Sequence, residues 1–336
     1  MKPSIDEALL PILGAALDQT RSAACITTAD LDRPGPRIVY VNPAYCAMTG
    51  RSADEVIGQN PRLMQGPLTD RRVLDELRAD LEAGRPFIGE TVNYRKDGTP
   101  YLNSWRIDPV VDRAGMTTHF IATQEDITET RRAQRLLAAE KAIDRHLSVL
   151  VGGPTSTGAN LDGLARAIRD AVAGLIDYGE VALVGSVRLG ITAAELAVGP
   201  ATDALRTTGE SIAADGTATV GSLADRYWIG CSLASERGGI EGTVAVLGLT
   251  GAELDFVDRA GLERVAECAR RALECLVDWA KQKKTGRGRL IDQQAMQVAI
   301  ARMAQEVELG RQAYVNAALA YDFFVENLFQ QPVTQL

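Results

Sequence analysis

Two tight turns, Lys96-Asp97-Gly98 and Asp112-Arg113-Ala114-Gly115, separate three strand-length runs at 87–95, 100–111 and 117–125. Asp and Gly at such turns supply the local hydrogen bonds and positive φ of hairpins, so the three runs are constrained to pair antiparallel in chain order. Two earlier runs, 23–28 and 37–42, flank the turn-rich segment Asp32-Arg33-Pro34-Gly35-Pro36. Short helices fit 43–49 and 52–57. A longer one fits 70–83, with Asp70 near its start and Val73, Leu74, Leu77 and Leu81 on one face. An antiparallel sheet with helices gathered on one side is an α+β layout.

Several short motifs sit on this frame. They are Tyr40-Val41-Asn42-Pro43-Ala44-Tyr45, Gly58-Gln59-Asn60-Pro61-Arg62-Leu63-Met64-Gln65, Asn93-Tyr94-Arg95-Lys96-Asp97-Gly98, Tyr101-Leu102-Asn103 and Gln124-Glu125-Asp126-Ile127-Thr128. In order and spacing they resemble the light-oxygen-voltage (LOV) branch of the PAS domains, whose flavin motif reads G-x-N-C-R-F-L-Q. The resemblance covers residues 23–129 and implies a bound flavin. It assigns the pyrimidine edge of the ring to Asn93 and Asn103, and the ring carbonyl and ribityl region to Gln65 and Asn60. Gln124 is assigned to N5 and its neighbouring carbonyl, and Arg62 and Arg78 to a phosphate. Leu63 and Met64 replace the motif's Phe-Leu pair and keep the ring-flanking surface apolar. Strand alternation puts Cys25 and Thr27 on one face, on a strand that contributes ring contacts in this family, and Thr27 joins the expected site. Cys25 reads as a buried small apolar residue. The residue types suit such a ligand, because carboxamides both donate and accept, guanidinium groups pair with phosphate, and an empty pocket would leave these groups unsatisfied. The interval from Gln65 to Asn93 resembles the compact LOV form, without the loop insertion of some FAD-binding relatives, so the resemblance implies FMN rather than FAD.

Pro61 stands where the family keeps its photoreactive cysteine. Proline offers neither a nucleophile nor a backbone donor. The resemblance therefore implies a sensor of blue light or redox state that works without a cysteinyl adduct, through reduction of the ring and protonation of N5. Gln124 would turn from donor to acceptor and pass the change through Asp126 into the following helix.

That helix runs from about 128 to Val151, with Leu136, Ile143 and Leu150 on one heptad position and Ala133 and Leu147 on the companion one, the pattern of a short parallel coiled coil. Gly152-Gly153-Pro154 ends it. Residues 160–280 resemble the GAF ligand-binding family, chiefly in Trp228–Leu233, Ile240–Leu247 and a helix at 255–280. The expected plan is an N-terminal helix within 1–22, a LOV/PAS domain at 23–129 and a linker helix at 130–153. A GAF-like α/β sandwich at 154–280 and C-terminal helices at 281–336 complete it.

The net charge of −8 and pI near 5.1 argue against a broad nucleic-acid or anionic-membrane surface. Neither a signal peptide nor a spanning segment of roughly 20 apolar residues is read. Five scattered cysteines without a C-x-x-C pair fit reduced thiols in a cytoplasmic protein. His146, in Asp144-Arg145-His146-Leu147, lacks the acidic residue and proline of a phosphoacceptor box, and no glycine-rich nucleotide loop follows. The chain therefore reads as regulatory rather than catalytic, metal-free, and homodimeric through its linker and C-terminal helices. Its output goes to a downstream protein rather than to RNA or a membrane. The competing reading is a PAS–GAF interaction module without flavin.

Overall fold

The computed structural model describes residues 15–32, 34–152, 157–189, 192–199, 202–207, 212–235, 239–282, 284–285 and 288–289. The chain divides into two units, Met1–Arg131 and Arg132–Leu336. The expected N-terminal helix before residue 15 and the C-terminal helices beyond 289 lie outside the described residues.

In the first unit, β1 (Ala23–Thr28), β2 (Ile38–Val41), β3 (Phe87–Tyr94), β4 (Pro100–Val111) and β5 (Thr117–Asp126) form one antiparallel sheet in the order β2-β1-β5-β4-β3. Both hairpins form where the turn chemistry puts them. Asp97 Oδ1 accepts from Thr99 N at 2.9 Å beside Gly98 at φ +87°, and Asp112 Oδ1 accepts from Ala114 N and Met116 N at 2.8 and 3.0 Å. Alternation then sends Tyr101, Asn103 and Trp105 of β4 and Phe120 and Ala122 of β5 to the buried face.

Helices α1 (Pro43–Thr49), α2 (Ala53–Val56) and α3 (Arg71–Glu82) and a 3-10 turn at Pro61–Met64 complete the unit. Asn42, fully buried, starts α1. Its Oδ1 accepts from Tyr45 N and Ala24 N, while Nδ2 donates to Leu17 O, Thr20 Oγ1 and Ser22 O. Every lone pair and proton of that amide has a partner, so its burial carries no desolvation penalty. Asp70 caps α3 by accepting from Arg72 N at 2.9 Å. The apolar interior forms two clusters, one around Ile38, Tyr45 and Met64, the other around Phe87, Trp105 and Phe120 with Leu74 and Leu77 of α3.

Helix α4 (Thr128–Gly152) begins in the first unit and continues into the second. The second unit adds α5 (Thr157–Ala173), β6 (Glu180–Leu189), β7 (Thr192–Val198), α6 (Thr202–Thr207), β8 (Thr219–Leu223), β9 (Arg226–Ser232) and β10 (Ile240–Leu249). Its described residues end with α7 (Gly251–Phe256), α8 (Arg259–Gln282) and a two-residue pairing of Lys284–Thr285 with Gly288–Arg289. Its sheet runs β7-β6-β10-β9-β8, the same relative strand order as in the first unit. One face packs on α4, α5 and α8, and the other holds Trp228, Leu205 and Leu247.

Two features differ from the sequence expectation. The single helix expected at 255–280 is broken. A capping box between Thr250 and Glu253 starts α7, and Asp258 Oδ1 accepts from Gly261 N at 2.9 Å to start α8 afresh. The heptad stripe of α4 is also occupied within the chain: Ile143 is fully buried, and Leu136 and Leu147 pack on the second unit's own core. Periodicity identifies an apolar face but not what covers it. No helix among the described residues is long and apolar enough to cross a membrane.

Candidate functional site

A cavity of about 280 Å³ opens within the first unit, close to the lower end of the roughly 300–1,000 Å³ typical of small-molecule sites. Its sheet wall combines alternate residues of four strands: Cys25 and Thr27, Asn93, Asn103 and Trp105 with Ile107, and Phe120 with Ala122 and Gln124. The facing wall comes from Tyr45, Met64 and the Leu74, Leu77 and Leu81 side of α3. Leu31, Pro36, Asn60, Pro61, Arg62, Gln65, Arg71, Asp75 and Arg78 complete the lining.

Of the residues expected from sequence, Thr27, Asn60, Pro61, Arg62, Gln65, Arg78, Asn93, Asn103 and Gln124 are therefore brought together on one cavity. Leu63 is not among the lining residues. It packs on the Ile38 cluster, and its neighbour Met64 faces the cavity instead. Pro61 occupies the first position of the 3-10 turn, where its missing N–H costs no hydrogen bond. Asn60 caps that turn, accepting from Arg62 N at 2.9 Å, and donates to Pro34 O at 2.9 Å. Its amide thus serves the loop as well as the lining.

The polar chemistry concentrates on β4 and β5. Asn103, fully buried, donates from Nδ2 to Gln124 Oε1 at 3.0 Å. Its Oδ1 is buried with no hydrogen-bond partner. A buried carbonyl oxygen without a donor costs roughly 1–3 kcal/mol, and a ligand N–H would remove that cost. Trp105 Nε1 is likewise buried and unpartnered. Sequence reasoning passed over Trp105, Arg71 and Asp75. Alternation from Asn103 would have put Trp105 on the cavity face, and the spacing 71, 74, 75, 78 would have put the others on one side of α3.

The charged lining residues are Arg62, Arg71, Asp75 and Arg78, of which Arg62, Arg71 and Asp75 are exposed. Arg78 donates to Leu31 O at 2.9 Å and pairs with Asp32 at 3.0 Å and Glu82 at 2.7 Å. Cys25 faces the cavity with its thiol pushed up to about 12 by burial, so it carries no thiolate near neutrality. Tyr45 is shifted upward for the same reason.

Asp126, expected as part of a relay, is not a lining residue. It pairs with Arg95 and accepts from Thr128 N at 2.9 Å and from Thr128 Oγ1. Thr128 Oγ1 in turn accepts from Leu102 N at 2.8 Å. Asn103 and Asp126 are register partners across β4 and β5, so the cavity amides and the start of α4 are separated by one ladder step.

A flavin fits this arrangement on three counts: the orphaned Asn103 oxygen beside further carboxamides, apolar walls suited to a flat ring, and guanidinium groups in the lining. Asn93, Asn103, Gln65 and Gln124 would hold its polar edge, and Arg62 and Arg78 a phosphate.

Comparison with known proteins matches this segment and, separately, part of the second unit. The PAS domain family model matches residues 23–129. The acyl-CoA dehydrogenase C-terminal domain model matches 259–326, in the second unit. Blue-light-activated histidine kinase 1 of Erythrobacter litoralis (strain HTCC2594) is 39% identical over 128 residues, 36% of this chain and 35% of the kinase. Phototropin-2 of Oryza sativa subsp. japonica is 35% identical over 127 residues, 38% of this chain and 13% of the phototropin. The matches thus span about a third of the kinase's length and less of the phototropin's. A solved structure described as "Flavin Analogue Sheds Light on Light-Oxygen-Voltage Domain Mechanism" is 31% identical, covering 37% of this chain and 87% of that one, with a TM-score of 0.31. Residues 23–129 of this chain form a PAS/LOV domain.

Proposed function

We propose that the chain is a sensory protein that binds FMN in the cavity of its PAS/LOV domain and responds to blue light or redox state without a thiol adduct. The observation that carries this reading is the convergence of Asn93, Asn103, Gln65 and Gln124 on one cavity, with Asn103 Oδ1 buried and unpartnered. A flavin supplies blue-light absorption and a ring that takes up electrons and a proton at N5. The chain's residues do the rest. Asn93 and Asn103 fix the ring edge, Leu74, Leu77 and Met64 exclude water, and Arg62 and Arg78 hold the phosphate. Pro61 removes the nucleophile from the position used for adduct formation in LOV domains, and Cys25 stays protonated.

Gln124 is the relay. Its Oε1 accepts from Asn103, so turning the amide over to accept a proton held at N5 breaks that bond. The disturbance reaches Asp126 and Thr128, which tie β4 to α4, and α4 carries it into the second unit. That unit acts as a GAF-like output module in a homodimer addressed to another protein. A sheet end that holds a helix in one of two arrangements is the bistable element such a switch requires.

The test is Gln124→Leu in the full chain loaded with FMN. Hydrogen exchange of α4 is compared in the dark, under blue light and after dithionite reduction. The variant is expected to keep its flavin and lose the change in α4 exchange. An unchanged response in the variant contradicts the relay, and a wild type that stays colourless favours a flavin-free interaction module.

A further inference from the structure

The sensor reading leaves one question of chemistry: without a cysteine to attack the ring, what reduces it after light is absorbed? We propose that Trp105 is the chain's own electron donor to the ring, an assignment that rests on the flavin reading above.

Four oxidisable side chains line the cavity: Cys25, Tyr45, Met64 and Trp105. The Cys25 thiol is held protonated by burial, and the thiolate is the reactive form of cysteine. Tyr45 sheds an electron readily only when its phenolic proton leaves too, and burial opposes that loss. Met64 has a thioether, the hardest of the four to oxidise by one electron. An indole gives up a π electron before its proton moves, and its N–H is a donor only.

Position favours the same residue. Trp105 is the register partner of Gln124 on β5 and of Gly89 on β3. Directly opposed side chains on one sheet face lie about 4.5–5.5 Å apart at Cβ, so the donor and the relay are immediate neighbours. Gly89 makes room on the other side: a Cβ there would lie 2.4 Å from the Phe87 ring. That ring backs the indole at 6.2 Å between centroids and 41° between planes. Trp105 is therefore clamped between Phe87 and the cavity, 7% exposed, with Nε1 bonded to nothing. It is also the first unit's single tryptophan, since Trp228 and Trp279 belong to the second.

The step balances within the pair. One electron leaves the Trp105 π system and enters the excited ring, oxidising the indole and reducing the flavin by one electron each. The oxidised indole releases its Nε1 proton and N5 gains one, so the net transfer is one hydrogen atom. No outside reductant is consumed, and return of electron and proton in the dark restores both partners.

The experiment uses the full chain loaded with FMN, without oxygen or added donor. Flavin fluorescence and the rate of photoreduction are compared for wild type, Trp105→Phe, Tyr45→Phe and Cys25→Ala. Trp105→Phe is expected to brighten several-fold and to photoreduce on the order of tenfold more slowly, a barrier change of about 1.4 kcal/mol. The other two variants, also in the cavity lining, are expected to change both readouts far less than Trp105→Phe does. A Trp105→Phe protein as dim and as fast as wild type overturns the proposal, as does transfer of the effect to Tyr45→Phe or Cys25→Ala. Should Trp105→Phe reject FMN, flash spectroscopy decides. An oxidised-indole signal in wild type that rises with ring reduction and vanishes in Trp105→Tyr upholds the assignment, and a signal without that dependence overturns it. A wild type that takes up no FMN fails both this proposal and the reading beneath it. A loaded wild type indifferent to Trp105 fails this proposal alone.

Discussion

Asn103 is the residue on which site and stability pull in opposite directions. Its Oδ1 is buried without a donor, a cost the flavin-free protein bears and a ligand N–H relieves. Asn103→Leu removes that oxygen but also the donor to Gln124 Oε1, so the flavin-free protein is expected to change little in urea, while FMN affinity falls by about tenfold or more, roughly 1.4 kcal/mol. A parallel loss of both would mean the amide serves the fold alone. Cys25 gives a second expectation. Buried and 3% exposed, it should resist alkylation at pH 8 while exposed Cys275 reacts, a difference read by mass spectrometry of native protein. The sign of its pH effect follows from its shift. The folded thiol ionises near 12 against an ordinary 9.0, as does Cys231. Between those values the unfolded chain has lost protons that the folded chain keeps, so stability falls as pH rises through that window. A melting temperature that rises from pH 9 to 11 would contradict this.

The elements most legible in the sequence were those with turn chemistry of their own. Asp97-Gly98 and Asp112–Gly115 marked both hairpins, whereas Asn103 was assigned through the motif resemblance, and the alternation of β4 in the structure puts it on the inner face. What α3 contributes was less visible. Its apolar stripe was read, but Arg71 and Asp75 on the same side were not, since a helical face says nothing of the cavity it will border. The α4 stripe was read as a seam for a second chain, whereas Ile143 fills this chain's own core. The start of α4 yields a prediction. Thr128→Ala removes the acceptor for Leu102 N and one partner of Asp126, so about 1–3 kcal/mol of local stability should be lost. Hydrogen exchange should quicken at 127–132, and protection equal to wild type would deny the tie. In the second unit, β6 and β10 pair at Gly185 and Gly242, with no room for a side-chain carbon at Gly185. A Cβ there would meet Glu241 O and Gly242 Cα at 2.4 Å, backbone atoms that no rotamer can move. Gly185→Ala should therefore cost about 1–3 kcal/mol in denaturant unfolding, and an unaffected midpoint would contradict the register.

Across the chain, two five-stranded sheets of the same strand order are connected through the 25-residue α4 and then α5, and the first turn of α4 is tied to the cavity amides by a single ladder step. On the proposed reading, sensing and output are separated in sequence and linked through α4, so a change of one hydrogen bond at Gln124 is predicted to act far along the chain. All of this depends on whether the carboxamides and arginines gather around a ring. Equilibrium titration of the flavin-free full chain with FMN, followed by the ring's visible absorption and fluorescence, tests it directly. Saturable one-to-one uptake, with a structured blue absorption band that weakens in Asn103→Leu, is the predicted result. A chain that is folded by its circular dichroism yet leaves the FMN spectrum unchanged at every concentration would contradict it.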